Sequence, residues 1–218
     1  MNDTFHRWDH HSSRAERHLV LPDGCRDVLI LRRPGAEEEV TLTDFDLCPR
    51  AVTTSPSVRM TGYRLRPGAL LCRDALAAIA ANPDQAGAII ADVCGAPGDL
   101  EYVISALSAP GATIPAVART AGVSIRTLQR QFRTKGLPPP DFWRLLARAR
   151  RAAVMLAGPD PLTEIACTCR FSDQAHMNRE FARWFGVSPA RLRADPATLD
   201  LLAQPALGAW TGEQISTR

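Results

Sequence analysis

The sequence contains no long hydrophobic run. None of its apolar segments approaches the roughly 18 residues that a membrane-spanning helix requires. The N-terminal stretch MNDTFHRWDHHSSR also lacks the apolar core that a secretory signal peptide carries. We therefore expect a cytoplasmic protein that does not interact with a membrane.

Cysteine is sparse and lacks the spacing of a structural zinc site. The six cysteines are scattered along the chain, at positions 25, 48, 72, 94, 167 and 169. In a reducing compartment we expect thiols rather than disulfides. Cys167 and Cys169 have no second pair at zinc-finger spacing. Residues two apart on a helix point to different faces, and core packing is the expected role of both.

The sequence offers no complete set of catalytic residues. Cys25, with His18 and Asp27 nearby, suggests a catalytic or redox group. A nucleophilic cysteine needs a base and an oxyanion site. The sequence identifies neither, so we expect a small buried thiol beside a turn. His10 and His11 are expected to lie in a flexible polar terminus rather than to bind metal. We predict no enzyme activity, no catalytic residues, no metal site and no cofactor.

Lysine is almost absent, and the positive charge is distributed unevenly. Lys135 is the only lysine among 26 basic residues. Residues 112–193 contain 14 Lys and Arg against 5 Asp and Glu, a net charge of +9, whereas the rest of the chain has 12 against 18, a net charge of −6. A basic half beside an acidic half indicates that one half binds a polyanion. A solvated arginine-rich surface explains the same charge, so charge alone does not decide.

The N-terminal third predicts a small, mostly antiparallel β domain. The segment HLVLPDGCRDVLILRR has two β-like runs separated by a Pro-Asp-Gly turn, and EVTLTDF and SVRMTGYRLRPG add further runs. From Leu70 the period becomes helical, in ALLCRDALAAIAA and then NPDQAGAIIADVCG. We assign residues 1–80 to a β-rich regulatory, sensor or dimerisation domain and residues 81–97 to a helical connector.

The rest of the chain predicts an all-α domain, 98–194, and a tail, 195–218. The segment APGDLEYVISALSAPG is a helix bounded by Pro-Gly pairs, and SAPGATIP is the most plausible domain boundary. The chain is therefore expected to have an α+β fold, and the tail to be loose or docked. The remaining helices are expected near 114–121, 125–134, 140–157, 162–168, 173–185 and 189–194.

Two segments of the C-terminal half resemble each other. They are IPAVARTAGVSIRTLQRQF at 114–132 and LTEIACTCRFSDQAHMNREF at 162–181. Their apolar positions align, with one extra residue in the second turn. Each predicts a short helix, a tight turn and a longer amphipathic helix opened by Ser124 or Ser172, which is the helix-turn-helix pattern.

The longer helix of each repeat has a polar face suited to DNA. It carries Arg, Gln, Asn, His and Thr, the side chains that read base edges in the major groove, and its start is suited to meeting phosphate. One copy alone fits an ordinary surface helix with a solvated face, but two copies in a basic half-chain favour DNA.

The segment between the repeats, PPPDFWRLLARARRAAVMLAG, predicts a connecting helix. It would be about 27 Å long, which is suited to holding two reading helices roughly one DNA turn apart. Its Arg144, Arg148 and Arg151 either contact phosphate or form a solvated flank.

Three segments carry a family resemblance: AVARTAGVSIRTLQRQFRTKG, RARRAAVML and, most specifically, FSDQAHMNREFARWFGVSPARLR. With them, residues 112–193 resemble the DNA-binding domain of the AraC/XylS family of transcription regulators. The resemblance implies a seven-helix unit with two helix-turn-helix motifs, whose first helix falls around Leu100–Ser108. HLVLPDGCRDVLIL and GYRLRPGALL resemble the N-terminal β-rich regulatory domain of a subset of AraC-like regulators.

Carried over position by position, the resemblance implies two sets of DNA contacts. Arginine suits guanine, glutamine adenine, alanine the thymine methyl and glutamate cytosine, while phosphate contact or plain solvation stays open as the alternative for each residue. The base-facing positions are Arg126, Thr127, Gln129, Arg130, Gln174, Ala175, His176, Arg179 and Glu180, with Arg133 at the margin. The phosphate-facing positions are Ser124, Arg133, Arg148, Arg170, Ser172 and Arg183.

One position departs from the family's pattern. The turn before the second reading helix usually carries glycine, where this chain has Arg170 in CTCRFSD. If that position requires a positive φ, a residue other than glycine costs about 1 kcal/mol. Either the turn is reshaped or Arg170 gains a phosphate contact. The orientation of the second helix depends on which of these two alternatives holds.

These observations predict a sequence-specific DNA-binding transcription regulator, an activator or a repressor, modulated by its N-terminal domain. Its helices near 125–134 and 173–185 would enter successive major grooves of double-stranded DNA. RNA polymerase, a small-molecule effector at the N-terminal domain and a second copy of the chain are further candidate partners. Two other classes stay open: a thiol- or metal-responsive sensor or enzyme delivered by DNA binding, and a helical interaction module without a DNA role.

Overall fold

The computed structural model describes residues 4–210 and shows a β-rich region followed by a helical one, which confirms the predicted α+β fold. None of the helices in this range has the length and apolarity of a membrane-spanning segment. The strands are β1 (Phe5–Ser12), β2 (Glu16–Val20), β3 (Asp27–Arg32), β4 (Glu39–Leu42), β5 (Arg50–Thr54) and β6 (Val58–Leu65). The helices are α1 (Arg73–Ala81), α2 (Ala86–Val93), α3 (Asp99–Ser108), α4 (Ile114–Thr120), α5 (Ile125–Thr134), α6 (Pro140–Met155), α7 (Leu162–Thr168), α8 (Gln174–Phe185), α9 (Pro189–Arg193) and α10 (Pro196–Ala203), with a 3₁₀ turn at Pro83–Gln85.

β6 is a central strand of the β-rich region. It pairs antiparallel with β1 and β3, and β4 completes a four-stranded sheet in the order β1-β6-β3-β4, while β2 and β5 form a separate antiparallel pair. The Pro-Asp-Gly turn at 22–24 therefore carries the chain from one sheet to the other. Gly62 of β6 lies opposite Trp8 of β1, and a Cβ at this position would lie 2.1 Å from the indole ring. The two strands can pair over this ring only because residue 62 has no side chain.

The sequence pattern does not predict β1 or β5, and the expectation of a flexible terminus at His10 and His11 is wrong, because both lie in β1. The residues of β1 that point inward include His6 and Ser12, both of which are buried. Burial alternates along this strand, but hydrophobicity does not, so the usual signal of a strand is missing. β1 forms a strand because it pairs with β6 along its whole length, although its side-chain pattern does not indicate one.

The β-rich region has its own hydrophobic core. α1 and α2 pack on the four-stranded sheet, and their Ile79 and Ile90 are fully buried together with Val28, Ile30 and Leu65. α2, which lies in the segment expected as a connector, thus shares this core with α1 and the sheet.

The helical region is built around α6, and its helices agree with the predicted ones to within two residues at each end. Trp143 of α6 and Trp184 of α8 are completely buried. The indole N–H of Trp143 donates to the carbonyl of Pro138 at 2.9 Å, so the polar edge of this ring is satisfied inside the core. Phe142 packs edge-on against both tryptophans, which fixes α6 against α8.

Contacts around residues 22–24 join the two regions. The guanidinium of Arg150, a buried residue of α6, donates to the carbonyl oxygens of Pro22 at 3.3 Å, Leu202 at 2.8 Å and Gln204 at 3.4 Å. Leu21 is buried in the helical core. One arginine thus fastens the turn of the β-rich region and the C-terminal tail to the central helix.

The described part of the tail, residues 195–210, is docked and contains a helix, α10, that the sequence pattern does not predict. The backbone N–H of Leu207 donates to the carbonyl of Asp23 at 2.9 Å. Gly24 has a φ of +75°, and a Cβ there would lie 2.9 Å from Cβ of Leu207. The tail can therefore approach the turn this closely only over a glycine.

Candidate nucleic-acid interface

The first helix-turn-helix consists of α4 and α5 and has a cap at each helix start. The hydroxyl of Thr113 accepts from the N–H of Ala116, and the hydroxyl of Ser124 accepts from the N–H of Thr127 at 3.1 Å. Between the helices, Gly122 has a φ of +68°. These short polar caps satisfy backbone donors that the first turn of a helix leaves free.

The second helix-turn-helix, α7 and α8, repeats this geometry with Arg170 at the position of Gly122. Arg170 has a φ of +57°, and its N–H donates to the carbonyl of Cys167 at 2.9 Å. The corresponding bond in the first turn runs from Gly122 to Arg119 at 3.0 Å. The turn is therefore not reshaped to suit arginine, and the left-handed conformation is kept at its conformational cost.

The start of α8 differs from the sequence prediction in one respect. The N-cap is Asp173, whose carboxylate accepts from the N–H of His176 at 2.6 Å, and not Ser172. The extra residue in the second turn moves the cap one position along the chain. Ser172 instead donates through its N–H to Nδ1 of His176 at 3.3 Å, which holds the imidazole against the helix start.

The two turns predict opposite responses to substitution. Gly122→Ala is expected to lower the free energy of unfolding by about 1–2 kcal/mol, because φ is positive while no atom lies within 4 Å of the position that the added Cβ would occupy. Arg170→Gly is expected to raise it by up to about 1 kcal/mol, since glycine's greater freedom in the unfolded chain offsets part of the gain. Urea denaturation measures both. Two changes of the same sign would contradict the equivalence of the turns.

The outward face of α5 carries a row of arginines. Leu128 and Phe132 are fully buried, and Arg130, midway between them in the helix, is exposed on the opposite side together with Arg126 and Arg133. Two of the predicted base-facing residues flank this row: Gln129 is exposed and Thr127 is half-buried at the helix start. The structure therefore brings the predicted residues of α5 onto one accessible face.

The outward face of α8 is centred on Arg179. Met177 and Phe181 are buried, and Arg179 lies between them on the opposite side, in the position that Arg130 has in α5. Ala175 is exposed on the same face, while Gln174 is half-buried. Asn178 is also exposed. It is missing from the predicted set, although the repeat aligns it with Gln129 and could have identified it.

Glu180 and Arg148 are engaged inside the protein. A carboxylate oxygen of Glu180 accepts from the indole N–H of Trp184 at 3.1 Å and lies 3.9 Å from the guanidinium of Arg148. That guanidinium lies over the ring of Phe171 at 4.5 Å and donates to the carbonyl of Arg170 at 3.4 Å. Burial lowers the pKa of Arg148, and Glu180 opposes this shift. Both side chains brace α8 against α6.

The other predicted phosphate contacts lie at the surface. Ser124, Arg133, Arg170, Ser172 and Arg183 are all exposed. The guanidinium of Arg183 lies 4.7 Å from the centre of the Trp184 ring, and that of Arg170 lies against Gly111. On α6, Arg151 donates to the carbonyl of Ser108 at 2.6 Å and Arg144 pairs with Asp141, so these two arginines of the connecting helix have intramolecular partners.

Cys25 does not have the surroundings of a reactive thiol. Cys25 is buried, and burial raises the pKa of its thiol well above the usual value, with the nearby carboxylate of Asp23 adding to the shift. A thiol held protonated in this way is a poor nucleophile, and Nε2 of His18 instead contacts Oγ1 of Thr54 at 3.2 Å. The core-packing prediction is confirmed for Cys169, which is buried, and wrong for Cys167, which is exposed.

A cavity of about 860 Å³ lies between the end of α2, α3 and the first helix-turn-helix. Its lining is largely apolar and includes Tyr102 and Val103 of α3, with Arg130 and Lys135 at the α5 side. Tyr102 is 64% exposed. A molecule bound here would contact the connector of the β-rich region and the first reading helix together.

The helical region is similar to known proteins. Residues 117–195 match the family model of a helix-turn-helix domain. The region is 34% identical over 79 residues to the HTH-type transcriptional activator RhaS of Escherichia fergusonii, 36% of this chain and 28% of RhaS. It is 40% identical over 82 residues to the HTH-type transcriptional regulator VirS of Mycobacterium tuberculosis. This alignment covers 36% of this chain and 23% of VirS.

Among solved structures, an AraC-type transcriptional regulator from Chromobacterium violaceum matches at 25% identity and a TM-score of 0.39, covering 45% of this chain and 88% of that chain. The chain covers less than a third of the length of RhaS or VirS. The matched segment contains both helix-turn-helix units, the connecting helix α6 and the closing helix α9. The chain thus matches a helix-turn-helix domain at residues 117–195.

Proposed function

We propose that the protein is a sequence-specific DNA-binding transcription regulator whose α5 and α8 enter successive major grooves. The observation that carries the proposal is the equivalence of Arg130 and Arg179. Each lies opposite the two buried residues that anchor its helix in the core. A guanidinium in this position can donate two hydrogen bonds to O6 and N7 of a guanine.

α6 supports this proposal because it fixes the two reading helices relative to each other. Its 16 residues span about 24 Å. Its Phe142 packs against Trp184 of α8 with ring centroids 5.6 Å apart. A rigid spacing of this order suits two blocks of sequence about one helical turn of DNA apart.

We propose Arg126, Gln129, Arg130, Ala175 and Arg179 as the central base-contacting residues, since all five are exposed. The half-buried Thr127, Gln174 and His176 flank this set at the helix starts. Glu180 contributes mainly by holding Trp184 and Arg148. Phosphate contacts are proposed for Ser124, Arg133, Arg170, Ser172 and Arg183, with Arg148 acting from the interior.

The β-rich region is proposed to regulate DNA binding. The proposed units are the β domain at 1–80, the connector at 81–97, the DNA-binding domain at 98–194 and the tail at 195–218. Support comes from the contact of Arg150 with Pro22, which ties the β-rich region to the helix between the two reading helices. A small-molecule effector, a second copy of the chain and RNA polymerase are the proposed further partners, in the cytoplasm.

Selection of bound duplexes from a random DNA pool tests the proposed function. At low salt we expect enrichment of a motif with two short blocks about 10 base pairs apart, one block for each reading helix. The selection is repeated at a higher salt concentration. Specific binding is expected to weaken steeply with salt and to keep its motif, because phosphate contacts release counterions while base contacts do not.

Three other outcomes are informative. One enriched block instead of two would show that α8, whose preceding turn carries Arg170, does not read bases. Binding without enrichment, lost at moderate salt, would contradict sequence-specific regulation by the protein alone. Binding that is insensitive to salt would favour a helical interaction module without a DNA role.

A further inference from the structure

Three potential metal ligands come together between the two sheets of the β-rich region. His10 lies on β1, and Glu16 and His18 lie on β2. The three side chains are half-buried, whereas the neighbouring His11 and Arg17 are exposed. One ligand atom from each of the three residues lies within 4.8 Å of the other two. Successive side chains of a strand point to opposite faces. The three ligands therefore face one another, and the neighbouring His11 and Arg17 point away from them.

The distances are close to those of an occupied metal site. Oε2 of Glu16 lies 3.9 Å from Nε2 of His18, and the rings of His10 and His18 are nearly perpendicular with centroids 4.9 Å apart. Zinc lies about 2.0–2.2 Å from its nitrogen and oxygen ligands, so two ligand atoms of one ion are roughly 3–4 Å apart. Side-chain movements of about 1 Å are enough to close the triad around an ion.

Hydroxyl groups surround the triad. Oγ1 of Thr54 lies 3.2 Å from Nε2 of His18 and donates to Oγ of Ser12, also at 3.2 Å. Thr54 is on β5 and Ser12 is at the end of β1. An outer partner orients a metal-bound histidine through the ring nitrogen that does not bind the ion, so an ion bound at Nε2 of His18 displaces the Thr54 hydroxyl from this nitrogen.

We propose that His10, Glu16 and His18 form a binding site for a divalent transition-metal ion, and that Zn²⁺ is its occupant. Two imidazoles and one carboxylate are a ligand set that zinc takes, with water completing the tetrahedron. Mg²⁺ and Ca²⁺ prefer sites made of oxygen ligands and are not expected to bind.

An ion at this site would connect the two sheets of the β-rich region. It would clamp β2, of the two-stranded sheet, to β1, of the four-stranded sheet. β2 ends at Val20, and the next residue, Leu21, is buried in the helical core. The carbonyl of Pro22 accepts from Arg150. Metal binding therefore fixes the strand that leads directly into the joint between the two regions.

The test is a titration of the full-length, chelator-treated and reduced protein with Zn²⁺ alone, followed by calorimetry, with Mg²⁺ for comparison. We expect one Zn²⁺ per chain. His10→Ala, His18→Ala and the isosteric Glu16→Gln should each weaken Zn²⁺ binding by more than about tenfold, the loss that even an outer partner of a metal site typically causes. His11→Ala is the matched control and should bind as the wild type does. Zn²⁺ should raise the midpoint of thermal unfolding of the wild type and of His11→Ala, but not that of Glu16→Gln.

Three results would overturn the proposal. These are the absence of stoichiometric Zn²⁺ binding by the wild type, unchanged binding by folded His18→Ala and Glu16→Gln, and an equal loss in His11→Ala. Co²⁺ serves as a spectroscopic probe of the ligands. An intense near-ultraviolet thiolate-to-metal band would assign the ion to exposed cysteines such as Cys48, whereas a nitrogen and oxygen site gives only the weaker visible bands. Circular dichroism verifies the fold of each variant, and the outcome does not depend on whether the protein binds DNA.

Discussion

Arg150→Met is expected to lower the free energy of unfolding by about 3–5 kcal/mol, through the loss of several buried hydrogen bonds. Methionine occupies a similar volume but has no donor for the carbonyls of Pro22, Leu202 and Gln204, which all accept from this guanidinium. Leaving a buried acceptor unpaired costs about 1–3 kcal/mol. Burial lowers the pKa of Arg150, and the charge of Asp23 opposes this shift. Urea denaturation followed by tryptophan fluorescence measures the change.

Arg144→Met, on the same helix, is the matched control for this substitution. Arg144 is partly exposed and pairs with Asp141 in the first turn of α6. Surface pairs of this kind contribute about 0–1 kcal/mol, so the control should stay within that range. A loss of similar size in both variants would assign the effect to the helix itself and not to the joint. Two separate unfolding transitions in Arg150→Met would show that the joint is what makes the two regions unfold together.

The helical half could be predicted from the sequence because its signals are local. In α5, Leu128 and Phe132 are four apart and both are buried, and Ser124 is the cap that such a helix needs. Gly186, at the end of α8, has a φ of +73°, as a glycine that ends a helix often does. The repeat carries information of the same kind. It aligns Arg170 with Gly122, and both residues have positive φ.

The joint and the first strand could not be predicted because they depend on contacts between distant residues. Arg150 is one of three arginines in RARR, and nothing local distinguishes it from Arg148 or Arg151. Its buried position is determined by Pro22, which is 128 residues away. In the same way β1 is ordered by its neighbour β6, the last strand in the sequence, since its inward residues are polar.

The sequence predicts which side chains of α5 and α8 are exposed better than it predicts the contacts that they make within the protein. Helix periodicity identifies which side chains leave the core, and this places Arg130 and Arg179 outward. It does not show which polar side chain finds a partner within the protein. Glu180 bonds Trp184, and Arg148 stacks on Phe171. Such pairings depend on how neighbouring helices pack. A polar residue on α5 or α8 is therefore not identified as a base contact by its position in the helix alone.

Arg130→Ala and Arg179→Ala are each expected to weaken binding to the selected DNA by about 1–3 kcal/mol, roughly 5- to 150-fold. Each variant should lose the preference for one base pair, Arg130→Ala in one block of the motif and Arg179→Ala in the other. The two residues lie on different helices, so their effects should add in the double variant, to about 2–6 kcal/mol. Competition binding against duplexes with single substitutions measures both affinity and preference.

The alternative role of these arginines, contact with phosphate, has a different signature. Arg133→Ala, next to the same helix face, should weaken binding to every duplex alike and reduce the slope of log K against log salt by about 0.9. Arg33 lies in the β-rich region and pairs with Glu39. Arg33→Ala should therefore change neither the affinity nor the salt dependence of DNA binding. If Arg130→Ala behaves like Arg133→Ala, Arg130 is a phosphate contact, and the bases in the first block are read by Arg126 and Gln129. If both Arg130→Ala and Arg179→Ala leave affinity and preference unchanged, the proposal that these two equivalent arginines contact bases is wrong.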